Sequence, residues 1–236
     1  MKPIFKWTVG ETNKNGYECL IMSIFSFKKF FDIEVFICHN CLKNKIPNEL
    51  NQFHLLDQSK YKNDIPKPKG VAWKLYPPRI DENNYEVSID NDIVITKKIN
   101  QIELFLKSNC TLMLEDTSRA YGRFDKHIPA NLKINSGIYG MPPNFELKKF
   151  IKFYSGEEWQ KNALNQYNAS ETFDEQGIIA LALLSNSRYI IIPNTLITNC
   201  ENDLIEGDGF HFIGLNRKKF HRPFKLFKSL TKKLFM

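Results

Sequence analysis

The chain of 236 residues lacks several patterns that would assign it to a common class. It has no run of about 18 consecutive apolar residues, so no segment is predicted to span a bilayer. It has neither a Gly-x-Gly-x-x-Gly sequence nor a Gly-x-x-x-x-Gly-Lys-Ser/Thr sequence, which argues against a dinucleotide site and a P-loop. Residues 1–7 lead directly into a strand-like pattern without the features of a signal peptide, and we therefore expect a cytoplasmic protein.

Cysteine is scarce and forms no recognisable framework. The five cysteines are odd in number, and only Cys38 and Cys41 have the Cys-x-x-Cys spacing of a redox pair or of half a zinc site. No second cysteine pair follows, so we interpret both as ordinary buried or loop cysteines. Scattered free thiols are typical of proteins from a reducing compartment, which again favours the cytoplasm.

The remaining composition is that of a folded domain with alternating strands and helices. Hydrophobic residues make up 42% of the chain, and there are 19 Phe, which supports a sizeable core. Strand patterns at residues 4–9 and 32–38 flank a helix pattern at 17–31, and such a unit predicts parallel strand pairing. Because the alternation continues to a strand at 189–193, we predict an α/β fold with a Rossmann-type, mostly parallel central sheet flanked by helices.

Two aspartates follow an apolar strand that is predicted to end near Ile89. Asp90 and Asp92 are two residues apart, so on an extended chain their carboxylates point the same way. They lie at the carboxyl end of the strand, where open α/β sheets bind ligands. Such a pair suits a hard divalent cation that also holds a diphosphate. The alternative is a solvated turn, since Asp-Asn is common in turns.

Other candidate ligand-binding residues lie before and after this acidic pair. Lys74 and Arg79 are placed to face the same diphosphate, unless they are surface charges on a short helix that ends at the following prolines. Asn135 and Gly137 open an apolar strand, where glycine would let the backbone approach a ligand closely. An ordinary tight turn would explain that segment equally well.

Two more candidates have a sufficient structural explanation of their own. Asp174 and Glu175 begin an apolar helix that is predicted to extend to residue 184, and the helix dipole favours acids in a first turn. His211 is predicted to stand beside a glycine turn at Gly214, and a lone histidine is more often structural than a ligand.

The order and spacing of these segments resemble the GT-A glycosyltransferases over residues 5–220. Residues 90–92 are similar to the Asp-x-Asp of that superfamily, and residues 135–137 are similar to its Asn-Ser-Gly or Asn-Ala-Gly. Residues 174–176 resemble its second acidic cluster. Residues 211–217 resemble the His-x-x-Gly-x-x-Lys segment of glycosyltransferase family 8.

The resemblance implies a metal-dependent transferase that moves a sugar from a nucleotide sugar, expected to be a UDP-hexose, to a glycan or lipid-linked glycan in surface polysaccharide synthesis. It implies Mn²⁺ or Mg²⁺ held by Asp90, Asp92 and His211, and an imidazole ligand favours Mn²⁺. It makes Asp174 and Glu175 the catalytic residues. The residues expected to bind the nucleotide sugar are Lys74, Arg79, Asn135, Gly137, Gly214 and Arg217.

The chain departs from the family 8 pattern at two sites. The lysine of that family is Arg217 here, which can still hold a phosphate, and two lysines replace the Pro-Trp that usually follows. The usual Asp-Gln-Asp is Asp-Glu-Gln at residues 174–176. Because Glu175 replaces a glutamine, it has the chemistry of a base or a nucleophile, and both retaining and inverting transfer stay open.

The formal net charge of +7 is concentrated at the C-terminal end. Residues 217–236 hold eight Lys or Arg and no acid, so the rest of the chain carries a net charge of about −1. Phe and Leu fall near one helical stripe between these cations. We therefore expect a catalytic domain at residues 1–216 and a basic amphipathic tail at 217–236 that lies on an anionic membrane surface. The enzyme would then be peripheral on the inner face of the membrane.

A rival interpretation is a basic protein that binds nucleic acid or membranes on a non-catalytic GT-A-like scaffold. The tail alone supports it, and packing of the tail onto the domain is a further alternative. The basic charge is confined to the tail and no recognised nucleic-acid-binding motif is present, so we expect no nucleic-acid partner. A phosphatase or nuclease would need a nucleophile or more metal ligands beside Asp90 and Asp92.

Overall fold

The structure is a computed structural model, and the residues it describes form two sheets with helices around them. The described ranges are residues 1–10, 12, 14–40, 46–61, 70–154, 174–200 and 207–212. The tail at 217–236, together with Cys41, Gly214 and Arg217, lies outside them. None of the helices within these ranges has the length and apolarity needed to cross a membrane.

The elements follow the alternation that the sequence predicts. The strands are β1 (Ile4–Val9), β2 (Glu34–His39), β3 (His54–Asp57), β4 (Glu86–Ile89), β5 (Ile93–Ile95), β6 (Thr111–Glu115), β7 (Ile134–Met141), β8 (Tyr189–Ile192), β9 (Ile197–Asn199) and β10 (Gly209–His211). The α-helices are α1 (Lys14–Lys28), α2 (Asn100–Phe105), α3 (Leu147–Tyr154) and α4 (Asp174–Leu184). Short 3₁₀ helices lie at Asn48–Gln52, Gln58–Tyr61, Gly70–Leu75 and Gly122–His127.

The larger sheet has seven strands in the order β3-β2-β1-β4-β7-β6-β8. The pairs β1–β2, β1–β4, β2–β3 and β6–β8 are parallel. Strand β7 runs against the others and pairs antiparallel with both β4 and β6. The prediction of a mostly parallel central sheet flanked by helices is therefore confirmed, and the reversed direction of β7 is a feature that the sequence patterns did not reveal.

Helix α1 covers one face of this sheet because its apolar side chains recur at helical spacing. Leu20, Ile24 and Phe27 are fully buried. The Phe27 ring lies edge-on to the rings of Phe5 and Trp7 on β1, with centroid distances of 6.0 and 5.9 Å. The helix thus fixes the strand beside β4, whose carboxyl end carries the predicted acidic pair.

Helix α4 lies on the other side of the sheet, and a glycine allows its close approach to the Gly122–His127 turn. A Cβ atom on Gly177 would stand 2.4 Å from the backbone oxygen of Tyr121 and 2.8 Å from Phe124 Cβ. The apolar side chains of α4 form a second core cluster with Met113 and Tyr139 of the sheet. This packing places the first turn of α4 near the start of β7.

A smaller three-stranded sheet has the order β5-β10-β9, and its strand β5 packs against α1. Strand β10 is antiparallel to β5, and His211 pairs with Ile93. The Phe212 N–H donates to the backbone oxygen of Asp92 over 2.9 Å. His211 ends this buried strand, where pairing with β5 extends the chain, and the glycine turn expected at Gly214 lies outside the described residues.

A fully buried ion pair ties β1 to the amino-terminal end of β4. Lys6 Nζ lies 2.9 Å from Glu86 Oε1 and donates to the Pro77 oxygen over 3.1 Å. Glu86 Oε2 accepts from the Ile80 N–H over 2.7 Å. Burial alone would lower the pKa of Lys6, but the Glu86 carboxylate outweighs it and the pKa lies above its ordinary value. The pair therefore orders the segment that carries Lys74 and Arg79 against the sheet.

Candidate active site

The structure brings the acidic pair and His211 to one place. Asp90 is the first residue after β4, and its N–H donates to the Gly137 oxygen over 2.8 Å. Asp92 immediately precedes β5, which carries β10 and hence His211. Nε2 of His211 lies 3.4 Å from Asp92 Oδ1 and 3.8 Å from Asp90 Oδ2. One ligand atom from each residue lies within 4.8 Å of the others.

These three side chains have the donor set of a divalent-cation site. Among the described residues, Asp92 Oδ1 and His211 Nδ1 are buried without a hydrogen-bond partner, which is unusual for buried polar atoms. Burial lowers the pKa of His211, but the carboxylates of Asp92 and Asp90 outweigh it and raise the pKa. Two carboxylates and one imidazole thus form a donor set into which a divalent cation would fit.

Gly137 gives the imidazole its space. A Cβ atom on Gly137 would lie 2.8 Å from His211 Cε1 and 2.7 Å from Asn135 Oδ1. The sequence predicts that this glycine admits a ligand, and in the structure its close neighbours are Asn135 Oδ1 and the ring of His211. Gly137 therefore belongs to the site because its lack of a side chain leaves room for His211, one of the candidate metal ligands.

Asn135 belongs to a network below the cluster. Its Nδ2 donates to Asp116 Oδ2 over 2.9 Å, and its Oδ1 accepts from the Gly137 N–H over 2.6 Å. Asp116 also accepts from Asn199 Nδ2 over 3.2 Å, and Asn199 pairs with His211 between β9 and β10. Asp116 was not predicted as a site residue, although a strand ending in acids was the signal that could have found it. It links β6, β7 and β9 beneath the site.

The structure places Lys74 beside the acidic pair. Its ammonium nitrogen is 2.7 Å from Asp90 Oδ1, 2.8 Å from Asp90 Oδ2 and 3.5 Å from Ser136 Oγ. Burial lowers the pKa of Lys74, but the charges of Asp90 and Glu175 outweigh it and raise the pKa. The 3₁₀ helix Gly70–Leu75 thus delivers a cation to the carboxylates.

Arg79 is not brought to this cluster. Its guanidinium lies 3.6 Å from Glu86, which is at the opposite end of β4 from Asp90. Its Nη1 donates to the oxygens of Pro142 and Phe145, and its Nη2 donates to two carbonyl oxygens, at residues 81 and 84, of the loop that follows it. The side chain is 4% exposed, so Arg79 organises this loop.

The first three residues of α4 have three different surroundings. Asp174 accepts from the Arg123 N–H over 2.8 Å and from Arg123 Nε over 2.7 Å, which fixes the helix start. Gln176 Oε1 accepts from the Ser136 N–H over 3.2 Å. Glu175 is buried, and burial raises its pKa to about 7 although the charge of Lys74 lowers it. Glu175 therefore interacts electrostatically with Lys74 and Asp90, whereas Asp174 is paired with Arg123.

The fold is similar to that of several solved glycosyltransferases. The galactosyltransferase LgtC, in complex with donor and acceptor sugar analogues, matches with a TM-score of 0.61 and 11% identity over 99% of this chain and 96% of LgtC. Mouse xyloside xylosyltransferase 1 in its apo form matches with a TM-score of 0.60 and 8% identity over 92% of this chain and 99% of that protein. GlyE of Streptococcus pneumoniae matches with a TM-score of 0.55 and 11% identity over 98% of this chain and 60% of GlyE.

These similarities establish the fold and confirm the GT-A architecture expected from the sequence. No protein-family model matches the chain, and no curated protein sequence does. Since these three structural relatives are only 8 to 11% identical to the chain, the function has to be argued from the site itself.

Replacing Gly137 by alanine tests whether His211 belongs to a metal site. The added Cβ would displace the imidazole, because the ring carbon Cε1 stands only 2.8 Å away. We expect G137A to weaken Mn²⁺ binding about 10- to 100-fold, the range found when the residues that orient metal ligands are changed. Isothermal titration calorimetry with MnCl₂ measures it.

Gly10 offers a matched control for this substitution. A Cβ there would have its nearest neighbour at 3.4 Å, so G10A should fold and bind Mn²⁺ as the wild type does. If folded G137A bound Mn²⁺ with the affinity of the wild type, His211 would be excluded as a ligand of the metal.

Proposed function

We propose that this protein is a glycosyltransferase that moves a sugar from a nucleotide sugar to a glycan or lipid-linked glycan acceptor, with a divalent cation at Asp90, Asp92 and His211. The observation that carries the proposal is the convergence of these three side chains with Lys74 and Glu175 at the carboxyl end of β4. A GT-A fold at 11% identity to a galactosyltransferase is consistent with it.

The three candidate ligands would hold the cation against the diphosphate of the donor. When bound, Mn²⁺ or Mg²⁺ would neutralise negative charge on the leaving diphosphate, and the imidazole favours Mn²⁺. A UDP-hexose is the proposed donor because residues 211–217 resemble family 8. Gly214 and Arg217, which lie outside the described residues, are proposed to contact the same diphosphate.

Lys74 would supply the second positive charge at the donor. Its ammonium already lies at Asp90, so a diphosphate bound by the metal would be within its reach. A preorganised cation that faces developing charge stabilises the transition state more than the ground state. Among the other predicted donor-binding residues, Asn135 and Gly137 would act by holding Asp116 and His211 in place, and Arg79 would act by ordering its loop.

Glu175 is the proposed catalytic carboxyl group. It is 6% exposed, and burial places its pKa near neutrality, where a carboxyl group can act as base, nucleophile or acid. Asp174 would support it by anchoring the first turn of α4 through Arg123. The ionised carboxylate would attack the donor sugar or accept a proton from the acceptor, whereas the protonated carboxyl group would donate a proton.

The proposed acceptor follows from the charge of the C-terminal segment. Eight cations with interspersed Phe and Leu suit an anionic membrane surface, which is where a lipid-linked glycan for surface polysaccharide would be found. A peripheral position on the cytoplasmic face is therefore part of the proposal. The rival proposal, a non-catalytic scaffold that binds membranes or nucleic acid, draws its support from the same segment.

Replacing Asp92 by asparagine tests the proposed reaction directly. The amide removes one negative charge from the cation site while it keeps the shape of the side chain. We expect D92N to lower kcat/KM for release of the nucleotide from a panel of UDP-, GDP- and CMP-sugars with Mn²⁺ by about 10²- to 10³-fold. D32N is the control, because Asp32 is an exposed partner of Lys2 and should keep full activity. Equal activity in D92N and wild type would remove the metal-site claim, and inactivity of all proteins on every donor would favour the scaffold.

The raised pKa of Glu175 predicts the pH dependence of the reaction. If the ionised carboxylate acts as base or nucleophile, kcat rises as the pH increases through about 7, because the folded-state pKa lies near that value instead of the usual 4.5. A bound cation adds positive charge and would shift this midpoint downward. E175Q should lower kcat and abolish the rise, as measured by pH profiles of nucleotide release. A wild-type rate that falls through the same range would assign Glu175 the role of an acid.

A further inference from the structure

Lys74 occupies the carboxylate that a metal ion would need. The ammonium group lies 2.7 and 2.8 Å from the two oxygens of Asp90, so both oxygens already face a positive charge. Asp92 and His211 are different, because Asp92 Oδ1 and His211 Nδ1 have no hydrogen-bond partner among the described residues. Asp90 is therefore paired with a lysine, whereas Asp92 faces the imidazole of His211, with Nε2 3.4 Å from Asp92 Oδ1.

A metal ion and the Lys74 ammonium group would weaken each other's binding to the Asp90 carboxylate. Metal–oxygen bonds are roughly 2.0–2.6 Å long, so a cation on an Asp90 oxygen would lie close to an ammonium group on the same carboxylate. Like charges at that separation repel strongly in a mostly buried site. The Lys74 and Asp90 side chains are 16% and 21% exposed, so water screens this repulsion only in part.

A second acidic residue, Glu175, lies in the electrostatic surroundings of Lys74. The 3₁₀ helix Gly70–Leu75 packs against α4, and buried Glu175 lies in the first turn of α4. The charge of Glu175 acts on Lys74, and that of Lys74 acts on Glu175. Ser136 Oγ, 3.5 Å from the ammonium group, offers a hydrogen-bond acceptor beside Asp90.

We propose that Lys74 is a cation that stands in for the metal at Asp90 and changes partner when the metal binds. The incoming divalent cation displaces the ammonium group from Asp90, and Lys74 turns to Glu175 and to the donor diphosphate. This inference rests on the proposed function, since it requires the Asp90–Asp92–His211 site. It makes Lys74 a positioning residue before the donor arrives and a diphosphate ligand afterwards.

Opposite effects on two binding steps follow from this exchange. Lys74 competes with the metal alone, so removing it should tighten the binding of Mn²⁺. Once a diphosphate is present, Lys74 has an anionic partner again, so removing it should weaken the binding of UDP to the Mn²⁺-loaded protein. By linkage, UDP must then favour Mn²⁺ binding more in the wild type than in a variant without Lys74.

The experiment compares wild type with K74M in two titrations. Free Mn²⁺, followed by electron paramagnetic resonance during titration with MnCl₂ alone, gives the affinity for the metal. Calorimetry with UDP at saturating Mn²⁺ gives the affinity for the nucleotide. We expect K74M to bind Mn²⁺ about tenfold more tightly and UDP about tenfold more weakly, within the usual range of coupling between sites.

Two further variants make the comparison specific. K97M removes an exposed lysine that pairs with Asp208 away from the cluster, and it should leave both affinities unchanged. K74Q serves as the second variant where K74M loses its native circular dichroism spectrum, and it should change both affinities in the same directions.

The outcomes separate this inference from the proposed function. Mn²⁺ binding by folded K74M that is equal to or weaker than wild-type binding would overturn the exchange and leave the metal site standing. Absence of Mn²⁺ binding in the wild type and in every variant would overturn the metal site and the exchange with it. Opposite shifts of Mn²⁺ and UDP affinity would support both.

Discussion

The balance of charge at the carboxyl end of β4 is the constraint on which the site depends. Asp90, Asp92 and buried Glu175 bring up to three negative charges into a small, mostly buried volume. Lys74 supplies one positive charge, and His211 supplies a second when it is protonated. Ionised groups are costly in such a place unless they are paired, so the arrangement calls for a further cation or for proton uptake. A divalent ion bound together with a diphosphate would balance the charges, because the ion pairs with the carboxylates and the diphosphate pairs with the cations.

The fold meets this constraint through contacts that are distant in sequence. Strand β7 runs against its neighbours, so its start, with Asn135 and Gly137, lies beside the carboxyl end of β4. The small sheet carries His211 to Asp92, and the absence of a side chain on Gly137 leaves room for the imidazole. Asp116 accepts hydrogen bonds from β7 and β9 and so links the two strands that lie next to the cluster. Geometry of this kind comes from rigid strands, which position side chains more exactly than loops do.

The sequence predicted the parts of this arrangement that depend on local pattern. Apolar runs located β1, β4 and β6. Asp90 and Asp92 do come together, but through a turn at residues 91–92, in which the Ile93 N–H donates to the Asp90 oxygen over 3.3 Å, and not through extended chain. The inclusion of His211 came from resemblance to a family, because its pairing with β5 is a long-range contact without a local signal. The separate surroundings of Asp174 and Glu175 were equally hidden, since helical periodicity turns adjacent residues by about 100° and only tertiary packing shows where each points. Arg79 illustrates the same limit, because a cation near an acidic pair in sequence was drawn instead to Glu86 and to loop carbonyls.

Thermal stability in the presence of nucleotides and Mn²⁺ shows whether the site binds a metal and a diphosphate together. A ligand that binds only the folded form of a protein raises its melting temperature, and the rise grows with the ratio of ligand concentration to dissociation constant. UDP, GDP and CMP would each be added with and without Mn²⁺ to the full chain. We predict that one nucleotide, expected to be UDP, raises the melting temperature by several degrees only when Mn²⁺ is present, since the positive metal and the negative diphosphate bind together. A rise of the same size without Mn²⁺, or no rise with any nucleotide, would contradict the metal–diphosphate site.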